Sequence, residues 1–260
     1  MNTRTLIGIL LAGAAATASA QGGDFRWTGK LAPGKRLEIK GVNGDVHATA
    51  ATDDQITVIA HKHARRSDPD DVKIEVVPFE GGVTICAVYP TPRRAREAND
   101  CAPGDAWHSN TENDDTQVDF TVSVPKGVEF DGQTVNGEAS AEGLTANVTL
   151  GTVNGGIQLS TTGYAEARTV NGSITATMGR ADWTGPVEFT TVNGGITLNL
   201  PATLNTDVRA ETLNGDIDSD FPMMVSGKFG PRRVRATIGS GGRTLELKTV
   251  NGSIRLRKNA

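Results

Sequence analysis

Apolar and polar residues alternate along the chain in short runs, and one such run recurs around Asn-Gly dipeptides. With the Asn counted as zero, apolar or small residues recur at −6, −4, −1, +3 and usually +5. Around Asn154 these positions include Val148 and Leu150 on one side and Ile157 and Leu159 on the other. Period-two alternation on both sides of the dipeptide predicts two short strands, each with one buried face. The seven copies centre on Asn43, Asn136, Asn154, Asn171, Asn193, Asn214 and Asn251, and Thr precedes six of them at −2.

The spacing of the copies bears on the architecture. The last six Asn residues are separated by 18, 17, 22, 21 and 37 residues. Because Asn tolerates the left-handed conformation and Gly adopts it freely, each pair predicts a sharp turn. The turns are either hairpins of an antiparallel meander or corners of a β-solenoid with coils of about 20 residues. Stacked coils place Asn over Asn in an amide ladder, which favours the solenoid. We expect Asn154, Asn171, Asn193 and Asn214 to line up about 4.8 Å apart.

These patterns divide an all-β chain into three regions. Residues 1–20 predict a secretory signal peptide, with one Arg, an apolar run from 6 to 16 and a small-residue cleavage site before Gln21. Residues 21–125 predict an irregular β region, with a disulfide loop, that caps the solenoid. Residues 126–260 predict the Asn-Gly repeat β-solenoid. The gap before Asn251 is close to two periods, so residues 234–238 predict a degenerate coil or a hairpin.

Composition and charge support an exported globular protein. The chain has 37% hydrophobic residues and 31 glycines, which excludes a disordered chain. The N-terminal apolar run is too short for a membrane span of about 20 residues, so no transmembrane anchor is expected after cleavage. Removal of residues 1–20 takes away one positive charge and leaves 25 Lys and Arg against 30 Asp and Glu, a net charge of −5. We expect an exported protein in the periplasm or at the cell surface.

The chain contains two cysteines, Cys86 and Cys101. An even count in an exported chain predicts a disulfide. Closing a loop of this length stabilises the fold by about 3 kcal/mol. The alternative is a reactive thiol pair, which normally has the tighter Cys-x-x-Cys spacing. A disulfide requires the two Cα atoms to lie within about 7 Å of one another.

Two polar clusters are candidate metal sites. His61 and His63 share one strand face, but the remaining histidines, His47 and His108, supply no third ligand by their spacing. Asp216, Asp218 and Asp220 share another face and suit Ca²⁺, although the motif occurs once whereas calcium-binding repeats place an acid in every copy. An exposed strand end and a solvated strand face explain the two clusters more simply. We therefore expect no metal and no cofactor.

The sequence names no catalytic group. It contains no Gly-x-Ser-x-Gly, no His-Glu-x-x-His and no phosphate loop. A carbohydrate-active enzyme would need two carboxylates about 5 to 9.5 Å apart, and no recognisable motif supplies them. Outward positions such as Gln158, Thr175 and Thr197 are small and polar, which favours a binding surface contacted by several coils at once. A carbohydrate-active enzyme of β-helix type and a metal-binding periplasmic protein remain alternatives.

Charge is distributed unevenly along the chain. Residues 101–142 hold nine acids and one Lys, whereas residues 221–260 hold nine basic residues and one Glu. The basic end either attracts an anionic envelope partner or protects an exposed strand edge, with Arg255, Arg257 and Lys258 on the final strand. Nucleic acid is a poor partner for an exported acidic protein. The expected partner is an envelope polymer or a protein surface.

Several motifs together resemble a known family. They are Gly-Val-Asn-Gly-Asp-Val at 41–46, Val-Pro-Lys-Gly at 124–127 and the repeated Thr-Val-Asn-Gly-x-Ile. The chain resembles the bacterial exported β-strand-repeat family of candidate adhesins, whose function is unknown. The resemblance implies an exported, β-helical, envelope-associated protein. It supplies no catalytic residues, so the expected function is a non-enzymatic, adhesin-like structural or interaction module.

Overall fold

The computed structural model describes residues 17–21, 24–180, 183, 185–225 and 232–259. Residues 1–16 of the predicted signal peptide lie outside these ranges. The described chain is all-β, as predicted, with two single-turn 3-10 helices at Pro69–Asp71 and Gly104–Ala106. No helix in the described part is long and apolar enough to cross a membrane. The strands are β1 Thr17–Gln21, β2 Asp24–Gly29, β3 Arg36–Lys40, β4 Val46–Ala50, β5 Ile56–His63, β6 Lys73–Phe79, β7 Gly82–Val88, β8 Gln117–Val124, β9 Glu129–Gln133, β10 Ala139–Leu144, β11 Val148–Gly151, β12 Ile157–Thr161, β13 Ala165–Arg168, β14 Ile174–Met178, β15 Val187–Thr190, β16 Ile196–Leu200, β17 Thr206–Asn214, β18 Ile217–Ser219, β19 Met223–Val225, β20 Arg233–Ile238, β21 Thr244–Asn251 and β22 Ile254–Lys258.

The described strands form two large sheets. Sheet A has the order β1-β2-β5-β8-β4-β10-β12-β14-β16-β22-β18, and sheet B has the order β19-β20-β17-β21-β15-β13-β11-β9-β3-β7-β6. Every Asn-Gly pair joins a strand of sheet B to a strand of sheet A. The two strands flanking a corner are therefore not hydrogen-bonded to each other, which contradicts the antiparallel meander. Equivalent strands of neighbouring coils pair in parallel, as β9, β11 and β13 do in sheet B and β10, β12 and β14 do in sheet A.

The order of the coils differs from the predicted order at one end. Parallel bridges join the corners in the sequence Asn43, Asn136, Asn154, Asn171, Asn193 and Asn251. Asn214 then pairs with Asn251 rather than with Asn193. The C-terminal strands β21 and β22 therefore lie between the coil of Asn193 and the coil of Asn214. The expectation that Asn214 neighbours Asn193 is wrong, because the repeat pattern is the same in both coils and does not specify which one stacks first.

The long gap before Asn251 contains a hairpin-like addition to the stack. Strand β20 pairs antiparallel with β17, Thr206 opposite Ile238, and β19 pairs antiparallel with β20. At the other end, β3 and β4 flank Asn43 and pair in parallel with β9 and β10. The first coil of the stack is thus contributed by residues before 126, and the predicted boundary at 125/126 falls between strands of the same sheets.

The core lies between the two sheets and is filled by the alternating apolar positions. Residues at −6, −4, +3 and +5 are buried, as Val148, Leu150, Ile157 and Leu159 are around Asn154. Each such side chain contributes about 1.5–3 kcal/mol when fully buried. Val42 at the −1 position of the first coil is buried as predicted, but the −1 position of later coils departs from the pattern, because the chain turns there and directs the side chain outward. The exposed fractions of Val153, Val170, Val192 and Val250 lie between 36 and 38%.

Candidate functional site

The Asn side chains of the corners form one continuous ladder. Asn136 Nδ2 donates to Asn43 Oδ1 at 2.9 Å, and Asn154 Nδ2 donates to Asn136 Oδ1 at 2.8 Å. The same bond recurs at every step to the last coil, where Asn214 Nδ2 donates to Asn251 Oδ1 at 2.7 Å. An amide suits this position because it both donates and accepts in one plane. The predicted ladder is present, with its last two members in the reverse of chain order.

The glycine of each corner is required by close stacking rather than by a left-handed backbone. Among the described residues, only Asn113 is a non-glycine with positive φ, so the corner Asn residues are not left-handed. Of the corner glycines, only Gly44 has a positive φ. A Cβ at Gly155 would lie 1.9 Å from the carbonyl oxygen of Gly137 in the neighbouring coil. The conformational reason given for the dipeptide is therefore wrong, and steric exclusion of a side chain replaces it.

The Thr at −2 of a corner donates a hydrogen bond to the carbonyl oxygen of the corner glycine in the neighbouring coil. Thr152 Oγ1 donates to Gly137 O at 2.9 Å, and Thr169 Oγ1 donates to Gly155 O at 2.9 Å. These Thr side chains are buried beneath the corner. A buried hydroxyl needs a partner, and the carbonyl supplies it. The same bond is made by Thr134, Thr191, Thr212 and Thr249.

The outward face of sheet B carries two charged rows that sequence reasoning missed. The position at −5 from each corner Asn is acidic in five of the seven coils, and the −3 position is basic in three. Parallel register places each row along the stack. The two rows also neutralise each other, as Arg168 and Glu188 do at 2.7 Å. The −5 acids are Glu38, Asp131, Glu166, Glu188 and Glu246, and the −3 bases are Lys40, Arg168 and Lys248.

In the remaining four coils the −3 position is not basic. The other −3 positions are Gln133, Gly151, Thr190 and Glu211.

Both rows are interrupted at β11, and the interruption opens a groove. Thr149 and Gly151 occupy the −5 and −3 positions of this coil, so its outward face has the smallest side chains of the series. Thr149 lies in register with Asp131 on one side and Glu166 on the other. The groove has a volume of about 600 Å³ and crosses β9, β11 and β13. Its lining also includes Arg36, Asp105, Glu129, Gln133, Asn147, Tyr164 and Arg168.

The two carboxylates that face each other across β11 are both perturbed. Burial, then the nearby Glu38 charge, raises the pKa of Asp131, although Gln133 Nε2 donates to its Oδ1 at 3.1 Å. Burial, followed by repulsion from Glu188 and Asp131, raises the pKa of Glu166, and Arg168 opposes that shift. Asp131 and Glu166 are two strand spacings apart, so their Cα atoms are separated by about 9.6 Å.

Other groove side chains are held in place by one another. Arg36 lies 3.7 Å from Glu129, measured between NH2 and Oε2. Asn147 Nδ2 donates to Glu129 Oε1 at 3.0 Å. These contacts orient the polar groups of one wall before any ligand arrives. A wall fixed in this way loses little side-chain entropy on binding.

One end of the groove is closed by the loop that follows the Cys86–Cys101 disulfide. Cys86 and Cys101 are bonded with their Cα atoms 5.6 Å apart, inside the limit expected for a disulfide. The loop that follows Cys101 covers Glu38 and Lys40, whose side chains are almost fully buried. Lys40 Nζ lies 3.6 Å from Glu38 Oε2. Gly104 N donates to Glu38 Oε2 at 2.9 Å, and Lys40 Nζ donates to Gly104 O.

Burial of this ion pair ties the loop to the sheet. Thr84 Oγ1 also donates to Glu38 Oε2, at 2.8 Å, and Lys40 Nζ lies 5.8 Å from the ring centroid of Trp107. A buried charge without partners is strongly destabilising, so the loop has to remain in place to satisfy both groups. Gly104 and Asp105 then form the end wall of the groove.

The histidines do not converge on one site. His61 Nδ1 contacts Asp24, and His63 Nε2 lies 2.8 Å from Gln117 Oε1. The two rings stack with centroids 5.7 Å apart. His47 instead contacts Ser140, and His108 contacts Glu97. Within the described ranges, no group of three or more His, Cys, Asp or Glu residues is arranged to hold a metal ion.

The acidic cluster near the C-terminal end is neutralised by the last strand. Arg257 NH2 donates to Asp218 Oδ2 at 2.7 Å, and its NH1 donates to Asp220 Oδ1 at 3.1 Å. This contact lowers the pKa of Asp218. Strand β22 lies between β16 and β18, so it is not an edge strand. Of the two interpretations of the basic end, protection of an exposed strand edge by Arg255, Arg257 and Lys258 is therefore wrong.

The small polar positions after the corners lie on the outward face of sheet A. Gln158, Thr175 and Thr197 are in register on β12, β14 and β16. A shallower depression of about 410 Å³ includes Gln158 and Thr175. The sequence predicts a binding surface on this face, whereas the −5 and −3 positions on sheet B indicate the groove.

Comparison with known proteins identifies the family. The model of the family described as Toastrack DUF4097 matches residues 105–257. Because this match covers more than half of the chain, the protein belongs to the Toastrack DUF4097 family. The resemblance inferred from the sequence is confirmed at this level. No curated protein matches the chain.

Two solved structures are similar to this chain. One is a candidate cell adhesion protein from Clostridium sporogenes, which is 14% identical in sequence and superimposes with a TM-score of 0.47. The alignment covers 90% of this chain and 99% of that protein. The second is a candidate adhesin from Bacteroides fragilis, which is 12% identical in sequence and superimposes with a TM-score of 0.33. The alignment covers 90% of this chain and 96% of that protein. At these TM-scores the two similarities carry no argument about function.

Proposed function

We propose that the protein is an exported, adhesin-like interaction module of the cell envelope, a β-solenoid that binds an extended polymer without chemical turnover. The observation that carries the proposal is the groove across β9, β11 and β13. Three neighbouring coils each contribute polar groups to it, so a ligand that fills it has to extend along the stack. The resemblance of the sequence to the exported β-strand-repeat family of candidate adhesins is in keeping with this function.

The charges of the groove indicate which polymer fits. Its lining has two cations, Arg36 and Arg168, against four acids. Arg168 is already engaged by Glu188, and Arg36 lies beside Glu129. A strongly anionic polymer is therefore disfavoured in the groove. Hydroxyl and amide groups match the carboxylates, amides and Tyr164, so we propose an uncharged or weakly cationic glycan, with a protein surface as the alternative partner.

The proposed location is outside the cytoplasm, in the periplasm or at the cell surface. The Cys86–Cys101 disulfide supports this location, because disulfides persist in oxidising compartments. The predicted signal peptide supplies the route. Expression of the full chain followed by N-terminal sequencing of the exported product tests it, and cleavage before Gln21 is the expected result.

A binding screen tests the function. The purified mature protein is incubated with insoluble envelope glycans and with lipid vesicles, and the bound fraction is measured. We expect binding to a glycan, and at least about a tenfold loss of affinity in D131A/E166A, since two polar contacts are removed. The matched control is Q158A/T175A on sheet A, for which affinity should be unchanged. Binding to vesicles alone would contradict the proposal.

One observation favours a second candidate, a carbohydrate-active enzyme. Asp131 and Glu166 line the groove from strands two spacings apart, so their Cα atoms are separated by about 9.6 Å. Carboxyl groups that lean toward each other from these positions would fall in the range of about 6.5–9.5 Å used by inverting glycosidases. The raised pKa of each carboxyl suits a general acid. Release of reducing ends from the bound glycan, lost in D131N and in E166Q while binding persists, would establish the enzyme and overturn the binding module.

A further inference from the structure

The seven Asn-Gly corners differ in the partner of the glycine amide. In six corners this N–H donates to the Asn carbonyl oxygen of the next coil, as Gly137 N does to Asn154 O at 3.1 Å. Among the described residues, the coil of Asn214 is the last of the stack, and no further Asn-Gly corner lies beyond it. Within the described part of the chain, the Gly215 N–H has no acceptor. The six bonded amides are those of Gly44, Gly137, Gly155, Gly172, Gly194 and Gly252.

The Asn side chains show the same difference. From Asn136 to Asn251 in the order of the stack, which places Asn214 last, each Asn side chain donates to one neighbouring Asn and accepts from another. Asn43, at the first corner, accepts from Asn136 and donates to Thr116 O at 3.4 Å. Asn214 donates to Asn251, but its own Oδ1 accepts no hydrogen bond from the described residues. Asn214 is exposed, but so are all the other corner Asn residues except Asn43, so hydrogen bonding rather than exposure distinguishes it.

We infer that Asn214 is a site of spontaneous deamidation and that the ladder protects the other six Asn-Gly pairs. The Gly215 nitrogen loses its proton and attacks Cγ of Asn214, forming a C–N bond. Ammonia leaves, and a five-membered succinimide results. Water then opens the ring at either carbonyl, giving aspartate or isoaspartate.

Protection in the inner corners follows from the bonds that the reaction has to break. The attacking nitrogen is occupied as a donor, and the side-chain amide is fixed at both its oxygen and its nitrogen. Compared with Asn214, an inner corner has two further hydrogen bonds to open, one at the glycine N–H and one at the Asn Oδ1, and opening both slows the reaction by at least about tenfold. In the last coil, only the bond from Asn214 Nδ2 to Asn251 Oδ1 has to open.

The product changes only the exposed end of the ladder. A carboxylate at position 214 lacks the N–H group that donates to Asn251 Oδ1, so the outermost ladder bond is lost. It also adds a negative charge beside Asp216 and Asp218. The corners from Asn43 to Asn193 keep all their bonds, so we expect the modified protein to remain folded.

Peptide mass spectrometry tests the inference. The folded protein is incubated at mildly alkaline pH, digested, and the deamidated fraction at each of the seven sites is followed with time. The same chain in denaturant is the control, and there all seven sites should react at similar rates. We expect Asn214 to react at least about tenfold faster than the other six in the folded protein. An equal rate at an inner site, or protection of Asn214 on folding, would overturn the inference.

Discussion

The Asn-Gly corners and the groove are built from the same coils in opposite ways. At the corner, every coil repeats the same Thr, Asn and Gly, and each group bonds to its equivalent in the next coil. In the groove, Asp131, Thr149 and Glu166 occupy equivalent positions but differ in size and charge. Repetition thus provides stacking, whereas its interruption at one coil provides a place for a ligand.

The largest effect is expected where a side chain is added at a stacked glycine. In G155A the new Cβ would lie 1.9 Å from Gly137 O, so the backbone of two coils has to separate. We expect a loss of about 4 kcal/mol in the free energy of unfolding, measured by denaturant titration. In the control G151A, the nearest atom to the new Cβ is 3.7 Å away. Equal stability of the two variants would contradict the stacking account.

Removal of the disulfide tests the groove instead of the corner. The double variant C86A/C101A should lose about 3 kcal/mol, because the unfolded chain is no longer constrained. It should also lose glycan affinity, since the loop that carries Gly104 and Asp105 is no longer tied to β7. Thermal unfolding and the glycan-binding assay measure the two effects. An unchanged melting temperature would show that the bond contributes nothing to stability.

A smaller loss is expected for the corner hydroxyl. T169V keeps the shape of the buried side chain but removes the donor to Gly155 O, which lies 2.9 Å away. We expect a loss of about 1 kcal/mol. The control T175V changes an exposed outward position of the next strand. If both variants were as stable as the unmodified protein, the hydroxyl would not explain why Thr recurs at −2.

The smallest effect concerns the pH dependence contributed by the groove. The raised pKa of Asp131 means that the folded protein binds its proton more tightly than the unfolded chain. The stabilisation contributed by protonated Asp131 is therefore fully present below the pKa of this group in the unfolded chain. It is lost as the pH rises through the pKa in the folded protein. Relative to the unmodified protein, D131N should gain stability as the pH rises through this range.

Asp115 provides a control of opposite sign. The backbone N–H of Ser67 holds its pKa down, at about 2. The stabilisation contributed by ionised Asp115 is present above the pKa of this group in the unfolded chain and is lost as the pH falls toward about 2. D115N should therefore lose stability at neutral pH. Thermal unfolding across this acid range measures both variants. A change of the same sign in both would contradict the assigned causes.

The sequence predicts the corner well because its signals are local. Alternation on both sides of Asn154 identifies the buried face, and the recurring Asn predicts the ladder. The order of the last two coils cannot be predicted in this way, because the frames of Asn214 and Asn251 satisfy the same pattern. A periodic pattern specifies which face points inward, not which coil is the neighbour.

The groove was missed for a different physical reason. Its groups lie far apart in the sequence and come together only through the parallel register of β9, β11 and β13. No single coil is unusual by itself, since Thr149 and Gly151 are common residues. The signal appears only when the seven copies are aligned and the −5 and −3 positions are compared.

The most direct test of the central claim is the glycan affinity of two matched variants. T149W fills the floor of the groove on sheet B, and T175W adds the same side chain to an exposed position on sheet A. Unfolding curves first establish that both variants are folded. We expect T149W to abolish glycan binding and T175W to leave it unchanged. Binding that survives T149W but is lost in T175W would contradict the assignment of the groove.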